Sequence, residues 1–200
     1  PRRLSAAMNR LSAVAVLLAI VLGAAGSALY YRQHRPAPVL SELEIGFAQD
    51  MSAHHQQAVM MADMLAADAT RDVKALADQI RVTQLTEIGQ MAGWLQLAGA
   101  PPAASHPMAW MMPGHDDHSM GMPGMASTAD LERLQRSAGP ANQTLFLELM
   151  TRHHQGGITM AAYTFRHCTN DAVRRAASIM IDEQTQEIQV MTTLLAQHQG

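Results

Sequence analysis

Residues 51–64 read MSAHHQQAVMMADM, and residues 150–163 read MTRHHQGGITMAAY. Both copies carry Met-x-x-His-His-Gln inside an apolar pattern, where adjacent histidines need a physical reason. Around the first copy, Phe47, Met51, His54, Ala58, Met61 and Leu65 are spaced 4, 3, 4, 3 and 4 apart. That is the a/d seam of a bundled helix. Phe146, Met150, His153, Gly157 and Met160 repeat the spacing 99 residues later. His54 and His153 therefore face the core. His55 and His154 fall about 100° round, at the flank of the seam.

A second seam follows each motif. Val73, Gln84, Glu87, Ile88 and Met91 recur as Val173, Gln184, Glu187, Ile188 and Met191, displaced by 100 residues. Two helical hairpins that cannot each bury a face alone, joined by one long crossover, predict an all-α four-helix bundle. Ser41 with Glu44 forms a capping-box pattern that opens the first helix, expected to run to about Asp68. Thr70 caps the second, which GAPP stops after Ala98. A short helix is expected over TADLERLQRSAG, ended by Gly139-Pro140. The third long helix then runs from about Asn142 through His167, and TND caps a fourth to about His198.

The heights of the polar residues agree. Turns near Ala69 and Thr169 place His54 between Gln84 and Glu87, and His153 between Gln184 and Glu187. Both levels fall near mid-helix, so one layer of two His, two Gln and two Glu is specified, with Met51 and Met150 one turn away. Burying a neutral polar group without a partner costs on the order of 2–7 kcal/mol. Such a layer satisfies itself as a register-fixing network, or it takes an ion or water. Asp50, four residues before His54, is within reach of it, but the repeat has Leu149 there. The methionine stripe taken alone suits core filling.

The crossover, residues 101–127, holds a different cluster: Met108, Met111, Met112, Met120, Met122 and Met125, with His106, His115 and His118. Pro and Gly interruptions forbid a packed helix, so these side chains are expected to be accessible. Thioethers suit Cu(I), and imidazoles suit Cu(II) or Zn. The alternatives are a plain linker and a flap that covers the bundle.

Sixteen methionines and ten histidines dominate a 200-residue chain whose net charge is only −3, and no basic patch suggests nucleic acid. The single Cys168 excludes an internal disulfide and a cysteine-built zinc site. Leu11–Tyr31 carries no charge and is long enough to span a bilayer. Arg2, Arg3 and Arg10 before it favour an N-terminus (residues 1–10) on the cytoplasmic side. A cleaved signal peptide is the rival, since AAGSA offers small residues to a peptidase. Either way, residues 41–198 form an extracytoplasmic domain behind a linker over 32–40.

FLELMTRHHQGGITMA with QTQEIQVM, and FAQDMSAHHQQAVMMA with QLTEIGQM, resemble the exported bacterial family called domain of unknown function 305. The resemblance covers about residues 41–198. It implies a ferritin-like four-helix bundle, in a family whose better-understood members are linked to copper binding and tolerance. Carried over by motif, its positions are Met51, His54, His55, Met61, Gln84, Glu87 and Met91. In the second half they are Met150, His153, His154, Met160, Gln184, Glu187 and Met191. Asn142 and Gln143 stand near a place where the family often has aspartate.

The reading is a membrane-anchored copper binder, single-pass, with zinc or iron as other possible ions and no assigned protein partner. Its ligand candidates are Met51, His54, His55, Met61, Glu87, Met150, His153, His154, Met160 and Glu187, with the Met and His residues of the crossover. The alternatives are a di-metal carboxylate oxidoreductase and a bundle whose polar layer only sets register. The former needs a Glu from each of two helices and Glu-x-x-His from the other two, more carboxylates than these seams provide.

Overall fold

The computed structural model describes residues 39–111 and 121–198, together with Gly23, Ala24, Gly26 and Ser27. The chain divides into two units, residues 1–38 and 39–200. In the first, the four described residues are helical, and Ser27 Oγ donates to the Gly23 carbonyl at 2.8 Å. Among the described residues no helix is long and apolar enough to cross a membrane. The remainder of the Leu11–Tyr31 run, expected to do so, lies outside them.

In the second unit the described residues form five α-helices and no strand. They are α1 (Glu42–Asp63), α2 (Arg71–Ala98), α3 (Thr128–Arg136), α4 (Gly139–His167) and α5 (Asp171–His198), with a single 3-10 turn over Ala109–Met111. The Ser41–Glu44 capping box opens α1 as expected, and Ser127–Asp130 forms another at α3. Gly99, at φ 64°, closes α2 in the left-handed conformation that glycine adopts without penalty.

Two boundaries and the chemistry of one cap differ from expectation. Helix α1 stops at Asp63 rather than near Asp68, because α4 captures its end. Ala66 N donates to Asn142 Oδ1 at 2.7 Å, and Asn142 Nδ2 donates to the Met64 carbonyl at 3.2 Å. The Thr70 side chain makes no capping bond; its backbone N instead donates to Gln143 Oε1 at 2.7 Å. Gly139-Pro140 begins α4 rather than merely ending α3, since proline's missing N–H is harmless in a first turn.

Helix α1 packs on α2 and α4 on α5, and α1 meets α4 across the middle. The α1–α4 contact is antiparallel: Phe47 and Met51 share an apolar cluster with Met160 and Ala161, while Ala58 and Met61 share the other with Phe146 and Met150. The hairpin turns therefore lie at opposite ends. Each is held by the start of the other hairpin. Glu44 Oε1 accepts from Thr169 N at 2.8 Å and Asn170 N at 2.7 Å, as Gln143 accepts from Thr70. Glu44 and Gln143 are equivalent positions of the repeat, as are Asn170 and Thr70, each the residue directly before its helix.

Between the two apolar clusters sits the polar layer. Phe47, Phe146, Met51, Met150, Met61 and Met160 are fully buried on either side of it. Each such side chain contributes roughly 1.5–3 kcal/mol by leaving water. That burial is what holds polar groups at mid-bundle.

Candidate metal centre

The repeat brings the two motifs face to face. The His54 and His153 rings stack with centroids 3.8 Å apart and planes 29° apart. Both point inward, as the seam spacing requires. His55 and His154, at the flank of the seam, are 0 % exposed, and each reaches the glutamate of its own hairpin. His55 Nε2 is 2.7 Å from Glu87 Oε2, and His154 Nε2 is 2.7 Å from Glu187 Oε2. Their burial has a simple cause. A position 100° from the a/d seam faces the hairpin partner, and α2 and α5 close over it.

The two pairs are not equivalent. His154–Glu187 is a well-aligned hydrogen bond. His55–Glu87 has the distance of an ion pair without hydrogen-bond alignment, so both ring nitrogens of His55 lack a hydrogen-bond partner. The same holds for His54 Nδ1, His153 Nε2, His154 Nδ1, Gln84 Oε1 and Gln184 Oε1. His54 Nε2 is 3.0 Å from the Pro123 carbonyl, which only accepts, so Nε2 carries the proton and Nδ1 a lone pair. A buried polar atom left unsatisfied costs about 1–3 kcal/mol.

Burial sets the charge state. It pushes the His54 and His55 imidazoles down to about 3, aided by neighbouring histidines, and holds His153 well below the usual range. Glu87 is pushed up to about 7, first by burial and then by the Glu187 charge, against the pull of His154. At neutral pH these three imidazoles are therefore neutral, the form in which histidine binds metals. The donors form two His–Glu pairs flanking a stacked His–His pair. Among the described residues no three His, Cys, Asp or Glu side chains already converge on one point.

The methionines stand apart from this layer. Met51 and Met160 belong to one apolar cluster, and Met61 and Met150 to the other. The crossover methionines were expected to be accessible, but the described ones help cover the bundle. Met108 is buried, and Met111, Met122 and Met125 are partly buried. Asp50, within reach of His54 by spacing, instead holds the first part of this cover. Its carboxylate accepts from Met108 N at 2.6 Å and from Trp110 Nε1 at 2.8 Å. Gly46 gives the indole room: a Cβ there would lie 2.6 Å from Trp110 Cδ1. Met112, His115, His118 and Met120 lie outside the described residues.

Further ties run along α1. Gln49 Nε2 donates to the Pro101 carbonyl at 2.7 Å, and Gln57 exchanges two hydrogen bonds with the Ala126 backbone, at 2.7 and 3.0 Å. Opposite Gln57 in the repeat stands Gly156, where a Cβ would overlap the Pro123 carbonyl oxygen. Next to it, a Cβ at Gly157 would overlap Gln184 Oε1, while the first repeat tolerates Ala58. Gln49, Gln57 and Gly156 were not singled out from sequence. The signal was present: glycines at 156 and 157 interrupt a repeat whose first copy has Gln57 and Ala58.

The family model described as domain of unknown function, DUF305, matches residues 44–195. A DUF305 protein of Streptomyces coelicolor, a candidate secreted protein, is 39% identical; the match covers 79% of this chain and 94% of that one, with a TM-score of 0.72. A DUF305 fragment from Deinococcus radiodurans is 31% identical over 79% of this chain and 98% of its own, with a TM-score of 0.67. CopM in its Cu(II)-bound form is 26% identical, covering 77% and 96%, with a TM-score of 0.60. No curated protein matches the chain.

Proposed function

From the premise that this chain belongs to the DUF305 family, we propose that it is an extracytoplasmic metal-binding protein whose cargo is copper, which it sequesters or hands on. The observation that carries the proposal is the set of buried ring nitrogens and amide oxygens without partners in the His–Gln–Glu layer. Neutral imidazoles with free lone pairs beside two carboxylates suit a late transition ion. The likeness to CopM, known in Cu(II)- and Cu(I)-bound forms, favours copper among such ions.

In this reading His54, His55, His153 and His154 supply nitrogen donors, and Glu87 and Glu187 balance charge. Met51, Met61, Met150 and Met160 flank the layer as softer donors. Met108, Met111, Met112, Met120, Met122 and Met125, with His115 and His118, form a second, exchangeable set in the crossover. The uncharged Leu11–Tyr31 run tethers the domain to the membrane on its outer side.

A second reading has one observation in its favour: the aligned His154–Glu187 bond shows that half of the layer satisfies itself in part. In that reading the layer sets helix register. An oxidase centre is disfavoured, because the layer holds one carboxylate per hairpin. Metal analysis of the purified chain, with Cu(I), Cu(II), Zn and Fe in competition, tests the proposal. Retained copper, lost when His54 and His153 are replaced, supports it. A chain that retains no metal contradicts it.

A further inference from the structure

The polar layer is closed on most sides. The hairpin interfaces shut it on two of them. Over the α1–α4 face lies the crossover, whose Pro123 carbonyl sits on His54 Nε2 and whose backbone fits against Gly156. Helices α2 and α5 are the exception, because they leave a groove between them. One stretch of it, about 440 Å³, is lined by Gln79 and Thr83 of α2 and by Glu183 and Glu187 of α5. The adjoining stretch, about 500 Å³, is lined by Thr83 and Glu87 of α2 and by Ile179 and Glu183 of α5.

Thr83 and Glu183 line both stretches, so they mark where the two helices pass. Both glutamates of the polar layer face this groove. Glu183 is exposed, one turn before Glu187. It shares one stretch of the groove with Glu187 and the other with Glu87. Behind Glu87 is His55, fully buried and with both ring nitrogens free of hydrogen bonds. The repeat has no second copy of this acid, since the position equivalent to Glu183 is Thr83.

We infer that the α2–α5 groove is the port through which a metal cation reaches the polar layer, with Glu183 as an outer residue that receives it and passes it to the Glu87–His55 pair. The inference rests on the metal-binding reading above. An acidic mouth with low-dielectric walls concentrates cations and raises their rate of capture. Glu183 contributes mainly to that rate, and the inner donors set how much copper is held. Arg175 and Asp72, at the two far ends of the groove, offset one another in charge.

The test is stopped-flow binding of Cu(II) to the full chain at several salt concentrations. Glu183→Gln should slow association by about tenfold and flatten its salt dependence. The copper bound at saturation should stay at the wild-type value. Thr83→Phe, which fills the groove without changing charge, should slow loading as well. Glu148→Gln, at an exposed acid on α4, should not. Wild-type rates in both groove variants overturn the inference, and Glu183→Gln keeps that outcome readable should Thr83→Phe fail to fold. Faster loading in Asp50→Ala also overturns it, because the ion would then pass beneath the crossover. A wild-type chain that binds no Cu(II) contradicts the metal reading itself, an outcome distinct from wild-type rates in the variants.

Discussion

A buried imidazole that refuses a proton leaves a record in the pH dependence of folding. His54 and His55 ionise at about 3 in the folded chain, against 6.5 for an ordinary histidine, because burial penalises their charged forms. Between those values the unfolded chain binds more protons, so stability is fully present above pH 6.5 and is lost as pH falls toward 3. Each group contributes up to about 1.4 kcal/mol per pH unit inside that window. Glu87 runs the other way. Its raised folded value of about 7 contributes stability that is present below its unfolded 4.5 and lost as pH rises through 7. Histidines outnumber it in the layer, so urea midpoints of the metal-free chain should fall steadily from pH 7 to pH 4.5. In His55→Gln the fall should be shallower, and in Glu87→Gln steeper. Identical slopes in all three would mean that the layer takes up protons freely.

At the scale of elements, the crossover is held to α1 by few but specific bonds, and they can be cut singly. Asp50→Ala strands Met108 N and the Trp110 indole N–H, at a cost of about 2–4 kcal/mol for two donors to a charged acceptor. Limited proteolysis within residues 101–127 should then proceed several times faster, while helical circular dichroism stays near wild type. Gly156→Ala attacks the far end of the crossover, from α4. Its methyl group would overlap the Pro123 backbone, so a loss above about 1 kcal/mol is expected, whereas Ala at exposed Gly89 should be neutral or slightly stabilising. Comparison of the thermal midpoints of the two alanine variants checks this. Element existence was legible in sequence because the a/d seams run for many turns. The crossover was not, since its structure depends on side chains of α1 that lie 52 to 69 residues away. Asp50 illustrates the point: periodicity gives its distance from His54 but cannot reveal that an indole N–H competes for it.

Over the whole molecule the doubled motif makes one layer from two hairpins, and that layer was readable from sequence down to its residue types. Seam spacing gave the inward direction of His54 and His153, and turn positions gave the common height. Spacing could not show the stacking of the two rings, which depends on how closely α1 and α4 approach, nor the burial of His55 and His154, which depends on how α2 and α5 pack on their own hairpin partners. The doubled motif leaves its largest question at this scale, and stability with and without copper answers it. If the layer binds copper, His54→Ala and His153→Ala should each lower copper occupancy, and their effects should not add, since the two rings touch. Metal-free stability should then change little or rise, because the wild-type layer already leaves polar atoms unpartnered. If the layer only sets register, each change should cost about 1–3 kcal/mol without metal and leave copper binding intact. Copper should also raise the wild-type melting temperature in proportion to the logarithm of its free concentration, and do so less in the double variant. Large metal-free losses combined with wild-type copper binding would assign the paired histidines to architecture.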